Sequence, residues 1–431
     1  MIKKILPVLL LISSISIAQH TIKGTMSPNI DTDWLILYKI EGTKQVFVNN
    51  TTIKKDSILI SGKKEAVGSF EIKLPSYAKS GTYRATYRLE GASFVDFIYN
   101  KENISFIFNP DYPQESIAFT ESVENNFYKK YINEITVAQQ KLDSIQVEVL
   151  KDSTLDLKEA YKEAYGTVNA VQDKYIKLSK GKYVGPFVKA SARSNPSEIL
   201  TSVNDYLANI KTTFFDRLDF SNKTLVNSSF LTNRILDYMF YINYSDDVKQ
   251  QQILYKKSID TVLSKIKSQP YKRDIIQFLI EQFESSVNLE IIDYLFENHY
   301  NKLPIEIQDS KFKTEKQALF ATEVGRIAPD FSWTENGKNL KLSTLNDAQT
   351  YVLVFWSTSC SHCLREIPDL YTFMKTKPRA KVIAFALENE AYVWETYKKN
   401  NLNGWHNVLG LKKWKNETAQ TYQVFSTPSY F

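Results

Sequence analysis

Short alternating apolar runs fill the first hundred residues. Thr21–Thr25, Trp34–Ile40, Gln45–Val48, Ser57–Ile60, Ser69–Leu74, Thr82–Leu89, Ser93–Tyr99 and Ile104–Phe108 are rich in Val, Ile, Phe, Tyr and Thr. Runs of that length and composition predict strands. Glu41-Gly42, Ser61-Gly62 and Ser80-Gly81 mark turns between them. Closely spaced strands of this kind predict an all-β sandwich or open barrel over 19–113. Tyr83, Tyr87, Phe94, Phe97 and Tyr99 are assigned to its core rather than to a binding face.

The period then changes. Asn109-Pro110-Asp111-Tyr112-Pro113 is a breaker cluster. From there to about residue 320 apolar residues recur at helical spacing, as in Tyr161, Tyr165, Val168, Tyr175 and Leu178. Asn195-Pro196-Ser197-Glu198 carries the signals of a helix start: a capping residue, proline at the first position and glutamate at the third. No fixed repeat period emerges, so the expectation for 114–320 is an all-α bundle or irregular array.

A third pattern occupies 321–431. Tyr351-Val352-Leu353-Val354-Phe355 is an apolar run of buried-strand length, and Leu364, Ile367, Leu370, Tyr371 and Met374 follow at helical spacing. Val382–Leu387 predicts a further buried strand, and Ala391–Asn400 and Lys413–Tyr422 predict helices. Both cysteines of the chain, Cys360 and Cys363, fall where the first of these strands ends and the first helix begins. A thiol at a helix N-terminus meets unpaired backbone N–H groups and the positive end of the helix dipole, which favour the thiolate. The thiolate is the nucleophile of disulfide exchange, and a second thiol three residues on can close an intramolecular disulfide. A zinc half-site is the rival reading. It fits poorly, because zinc typically takes four ligands and only His20, His299 and His406 remain outside the motif.

With those residues in view, the last quarter of the chain resembles the thioredoxin fold, and within it the TlpA/ResA-like thiol–disulfide oxidoreductases. Gly325, Ala328, Pro329, Asp330 and Phe331 match the family's opening segment. Gly337 and Leu342-Ser343-Thr344-Leu345 match a turn and an L-S-x-L segment. Phe355-Trp356 precede Cys-x-x-Cys at family spacing, and Pro368 falls where the family kinks its active-site helix. The resemblance implies a C-terminal α/β thioredoxin-like fold. It implies Cys360 as the attacking thiol and Cys363 as the resolving thiol. Thr427-Pro428 matches the family's cis-proline facing the cysteines, with the Thr427 backbone free to pair with an extended substrate. Trp356 is expected as a wall of the substrate pocket. Trp333, Trp394, Trp405 and Trp414 are expected in the core. Glu366 matches a family glutamate near the site, a proton carrier for the thiols. It gains weight because Val354 stands where thioredoxin proper has an aspartate. His362, between the cysteines as in disulfide isomerases and DsbA-like oxidants, is expected to stabilise the Cys360 thiolate. Ser359 departs from the family, which often has tryptophan there. The resemblance also implies one more strand and helix after Phe431, roughly 30–40 residues at typical element lengths. The chain is therefore expected to be truncated.

Composition narrows the setting. At 431 residues there is room for about three domains. A net charge of +6, spread without a basic block, argues against nucleic acid. Lys3 and Lys4, the apolar stretch Ile5–Ile12 and the small residues Ser16-Ile17-Ala18 predict a signal peptide over 1–18. No later run of about 18 apolar residues predicts a transmembrane helix. The expectation is a periplasmic oxidoreductase of the Gram-negative envelope. It would need no cofactor beyond its own disulfide, and would exchange electrons with exported proteins and an upstream donor or acceptor. Two alternatives are an envelope scaffold protein with an accessory redox domain and a peroxiredoxin-like peroxidase. The second rests on Ser357-x-x-Cys360, and lacks the upstream proline that such enzymes carry.

Overall fold

The computed structural model describes residues 20–60, 63–89, 91 and 93–431. The segment expected as a signal peptide, 1–18, lies outside the described residues. The chain divides into two compact units, Met1–Ile307 and Gln308–Phe431.

In the first unit the alternating runs become β1 (Thr21–Met26), β2 (Trp34–Glu41), β3 (Lys44–Thr52), β4 (Lys54–Ile60), β5 (Lys63–Lys73), β6 (Gly81–Thr86), β7 (Phe94–Tyr99), β8 (Ile104–Phe108) and β9 (Ala118–Glu121). They form two sheets, ordered β4-β5-β1-β8-β9 and β3-β2-β6-β7. All pairs are antiparallel except β1 with β8. Side chains alternate across a strand. Ile22 and Met26 of one sheet therefore share a core with Leu35, Leu37, Tyr83, Phe97 and Tyr99 of the other. Tyr83, Tyr87, Phe97 and Tyr99 are all buried there; Phe94 is half-buried.

The helices of this unit are α1 (Pro113–Ser116), α2 (Val123–Lys151), α3 (Lys158–Leu178), α4 (Gly185–Ala190), α5 (Val203–Thr213), α6 (Lys223–Val226), α7 (Ser229–Leu236), α8 (Val248–Lys265), α9 (Gln269–Glu284) and α10 (Leu289–Asn298). Residue 113 marks a change of period rather than a separation. Asn125 of α2 exchanges two hydrogen bonds with the backbone of Ile98, at 2.7 and 2.8 Å, as a neighbouring strand would. Ser229 bonds Asp96 at 2.6 Å.

The helix start expected at 195–198 does not form, and α5 begins only at Val203, capped by Ser202. Tertiary partners overrule the local signal. Asn195 bonds Gln139, and the Pro196 carbonyl accepts from Tyr161. Gln146 of α2 satisfies both the N–H and the carbonyl of Leu200, at 3.0 and 2.6 Å. These bonds hold the segment along α2 without helix formation, with the Pro196 carbonyl and both backbone groups of Leu200 satisfied by side chains.

The second unit opens at residue 308, ahead of the expected 321, with α11 (Ser310–Phe320). A hairpin of β10 (Ser332–Glu335) and β11 (Lys338–Lys341) follows. Then come β12 (Thr350–Trp356), α12 (Ser361–Met374), β13 (Ala380–Glu388), α13 (Tyr392–Asn401), β14 (His406–Leu411), α14 (Glu417–Thr421) and β15 (Ser429–Tyr430). The sheet order is β14-β13-β12-β15, parallel except for β15. Both faces are covered, which is why β12 and β13 read as continuous apolar runs. Leu353 and Phe355 face one core with Phe331, Phe385 and Tyr422. Val354 and Trp356 face the other with Cys363, Ile367 and Trp394.

Candidate active site

Strand β12 delivers the chain to a tight loop, Ser357–Ser359, that ends on Cys360. Three contacts hold this loop. The Thr358 N–H donates to Glu388 Oε1 at 2.6 Å, the Ser357 and Ser359 hydroxyls meet at 2.9 Å, and Lys413 Nζ donates to Ser359 Oγ at 2.9 Å. Glu388 is buried at the end of β13, level with the loop.

Cys360 is the N-cap of α12. Its sulfur accepts the Cys363 N–H at 3.2 Å, the place a serine or aspartate oxygen usually takes. Protonated, Cys360 Sγ donates to the Thr427 carbonyl at 3.3 Å. The Thr427-Pro428 bond is cis, as expected. Both cysteines are free thiols; Cys360 is partly exposed and Cys363 is 0% exposed.

Their acidities are driven apart. Desolvation raises the Cys360 pKa. The Cys363 thiol, the Thr427 side chain and the backbone N–H groups of Cys363 and His362 outweigh it, leaving Cys360 below its ordinary value. Burial, followed by the bond to Cys360, pushes the Cys363 thiol up to about 12. The two environments push the neighbouring thiols in opposite directions. Cys360 is the thiol whose surroundings favour the thiolate, and Cys363 the one whose burial favours the protonated form.

The remaining expected residues fall less evenly. The Glu366 carboxylate accepts from the Tyr430 hydroxyl at 3.1 Å. Tyr430 lies directly across β12–β15 from Val354, on the face of the sheet that carries Cys363. Burial, the bond to Glu366 and the charges of Glu366 and Cys363 push the Tyr430 hydroxyl up to about 12. Tyr430 thus brings a hydroxyl to the neighbourhood that Val354 leaves apolar.

His362 departs from its expected role. Its ring is exposed, and Nδ1 lies 3.0 Å from Arg365 Nη2. A guanidinium only donates, so Nδ1 is the acceptor. Of His362, the backbone N–H rather than the ring supports the Cys360 thiolate. Trp356 departs too. It is 0% exposed, with its ring tilted against Tyr397 at 5.2 Å, because strand parity turns it into the core under α12. It supports the site and does not wall a substrate pocket. Trp333, Trp394 and Trp405 are buried, but Trp414 is 47% exposed.

Sequence reasoning passed over Glu388, Lys413, Tyr430 and Arg365. Arg365, three residues from His362 on one helix, was open to i,i+3 reasoning. The others reach the site only through sheet pairing. The histidines outside the motif bond elsewhere: His20 with Tyr99, His299 with Asp260, and His406 between Glu335 and Asp347. Among the described residues no group of three or more His, Cys, Asp or Glu side chains is arranged to hold a metal ion.

The C-terminal unit is thioredoxin-like, with a cysteine-capped helix leaving a mostly parallel sheet and a cis-proline facing the sulfurs. Residues 324–430 match the AhpC/TSA family. Among solved structures, the chain is similar to a thiol-disulfide oxidoreductase from Bacteroides fragilis. The identity is 24%, covering 24% of this chain and 78% of that one, with a TM-score of 0.21. It is similar to a secreted Mycobacterium tuberculosis disulfide oxidoreductase homologous to E. coli DsbE, at 19% identity over 23% and 72%, TM-score 0.21. A thioredoxin-like protein from Bacteroides caccae overlaps more of the chain, 55% and 88%, at 18% identity and TM-score 0.33. No curated protein matches the chain.

Proposed function

We propose that this protein is a thiol–disulfide oxidoreductase of the periplasm, acting on exported proteins through Cys360 and Cys363. One observation carries the reading: a partly exposed, acid-shifted thiol caps α12 beside a buried, base-shifted thiol, with the Thr427 carbonyl at 3.3 Å. The Cys360 thiolate attacks a partner disulfide. One partner sulfur joins Cys360 and the other leaves as a thiolate. Cys363 then gives up its proton and attacks Cys360 Sγ, which closes the intramolecular disulfide and releases the partner's second thiol. Two electrons pass to the partner, and the reverse sequence returns them from a donor. Glu366, exposed on α12 and bonded by Tyr430, is our candidate to take the Cys363 proton.

The leader pattern at 1–18 supports the periplasmic setting, and no helix among the described residues is long and apolar enough to cross a membrane. A peroxidase is not favoured. The Ser357 hydroxyl bonds Ser359 rather than the reactive sulfur, and a partner thiol stands three residues away.

The test is reduction of a disulfide-bonded protein by the full chain with a dithiol donor. Cys360→Ser is expected to abolish turnover. Unimpaired turnover, or a Cys360→Ser chain that still fulfils its role in the envelope, would overturn the reading in favour of a binding protein with an accessory redox unit.

A further inference from the structure

The reactive sulfur is bracketed by two cations. Lys413 Nζ donates to the hydroxyl of Ser359, the residue before Cys360, at 2.9 Å. Arg365 Nη2 donates to the ring of His362, two residues after Cys360, at 3.0 Å. Neither forms a salt bridge among the described residues, although many other cations of the chain do. Two carboxylates of the neighbourhood are engaged elsewhere: Glu388 accepts the Thr358 N–H, and Glu366 accepts from Tyr430. Ser359, His362 and Arg365 are exposed and Lys413 is half-exposed, so both charges are open to an incoming partner.

The backbone at Lys413 is a second, independent sign. Lys412 and Lys413 have φ of +71° and +44°, two left-handed residues in succession where β14 ends. Non-glycine residues rarely adopt that region, and such outliers gather at functional sites. Here the turn carries the Lys413 ammonium back to the active-site loop. Lys415 follows in the same turn, also without a salt bridge among the described residues.

We propose that Arg365 and Lys413 select partners whose reactive cysteine is flanked by carboxylates. The proposal rests on the oxidoreductase reading and names the partner's chemistry: a protein disulfide or thiol in an acidic segment. That segment would lie extended beside Thr427, with its side chains on either side of the cysteine reaching Lys413 in one direction and Arg365 in the other. The family's tryptophan position is serine here, so the contact is polar and charged where an apolar one is expected. Exposed charges of this kind act on encounter and orientation, and their effect fades with salt.

The experiment uses the full reduced chain and three peptide disulfides that differ only in the residues flanking cysteine: glutamate, glutamine or lysine. Quenched samples are read by mass spectrometry for the mixed disulfide on Cys360. The rate is expected to fall in the order glutamate, glutamine, lysine. Electrostatic steering of this kind is worth about tenfold or more between the extremes at low ionic strength. Raising the salt compresses the order. In the Arg365→Gln, Lys413→Gln double variant the glutamate-to-lysine ratio collapses toward one, with the glutamine peptide correcting for any change in Cys360 itself. Arg365→Lys with Lys413→Arg restores the ratio, which a merely structural role would not do. Equal rates for the three peptides in the native chain, or a ratio that survives in the glutamine variant, overturns the proposal. A native chain that forms no mixed disulfide with any peptide instead sinks the oxidoreductase reading beneath it.

Discussion

Replacing Glu366 by glutamine isolates the step at which the buried thiol must ionise. Cys363 is pushed up to about 12. At pH 7 a thiol with that pKa is ionised in only about one molecule in 10⁵, whereas an ordinary thiol near 8.5 is ionised at a few per cent. The more basic thiolate is also the better nucleophile, so resolution of the mixed disulfide by the rare thiolate alone would run on the order of 10²-fold slower than for an ordinary thiol. A positioned base supplies about 10²–10⁴-fold, the right size to offset this. The proposed base is Glu366, exposed on α12 three residues after Cys363 and bonded at 3.1 Å by Tyr430. The assay is stopped-flow reaction of the reduced chain with a chromogenic aryl disulfide. The first release reports attack by Cys360, and the second reports attack by Cys363. Glu366→Gln is expected to leave the first release intact and slow the second by roughly 10²-fold near neutrality. The second release should then climb about tenfold per pH unit, because only hydroxide remains to take the proton. Tyr430→Phe, which keeps the ring and removes the anchor, should slow the second release in the same direction by less. Combined with Glu366→Gln it should add nothing, as expected for two residues acting as a unit. Coincident second-release profiles for native and Glu366→Gln chains across the pH range would refute the assignment.

Other outcomes follow from the same geometry. Cys363→Ser should accumulate mixed disulfides on Cys360, visible on non-reducing gels; no trapping through Cys360 would count against the pair. A Cβ at Gly410 would lie 2.2 Å from the Phe385 ring, so Gly410→Ala should destabilise the second unit by about 1–3 kcal/mol in denaturant titration. Bonds from Lys341 and then Ser343 hold the Asp330 carboxyl down at about 2. A depressed carboxylate stabilises the fold above its unfolded pKa of about 3.9, and that contribution is lost as pH falls through about 2. Asp330→Asn should therefore narrow the stability difference between neutral and acid pH across that window, as read by thermal unfolding at each pH.

Several corrections share one cause. The Asn195–Glu198 signal is a valid local helix start, yet Gln139 takes up the Asn195 side chain, Tyr161 the Pro196 carbonyl and Gln146 the backbone of Leu200, all from two other helices. Trp356 beside a redox motif reads as a pocket wall until the parity of β12 turns it under α12. His362 reads as a thiolate partner until the helix places Arg365 against its ring.

What the sequence by itself determined is local. An apolar run, a break and a helical period set Cys360 at a strand–helix junction. Backbone geometry alone then dictates that its sulfur meets the first N–H groups of α12, as the 3.2 Å bond from Cys363 shows. The β, α and α/β succession was likewise legible, because each element announces itself by its own period. The tertiary structure decided everything that approaches Cys360 from a distance along the chain. Glu388 arrives from β13, Lys413 from the turn after β14, Thr427 from the segment leading into β15 and Tyr430 from β15 itself, which pairs with β12. Those residues are 28 to 70 positions from the cysteine they surround. No periodicity reports such distances, because they depend on which strands pair and in what register.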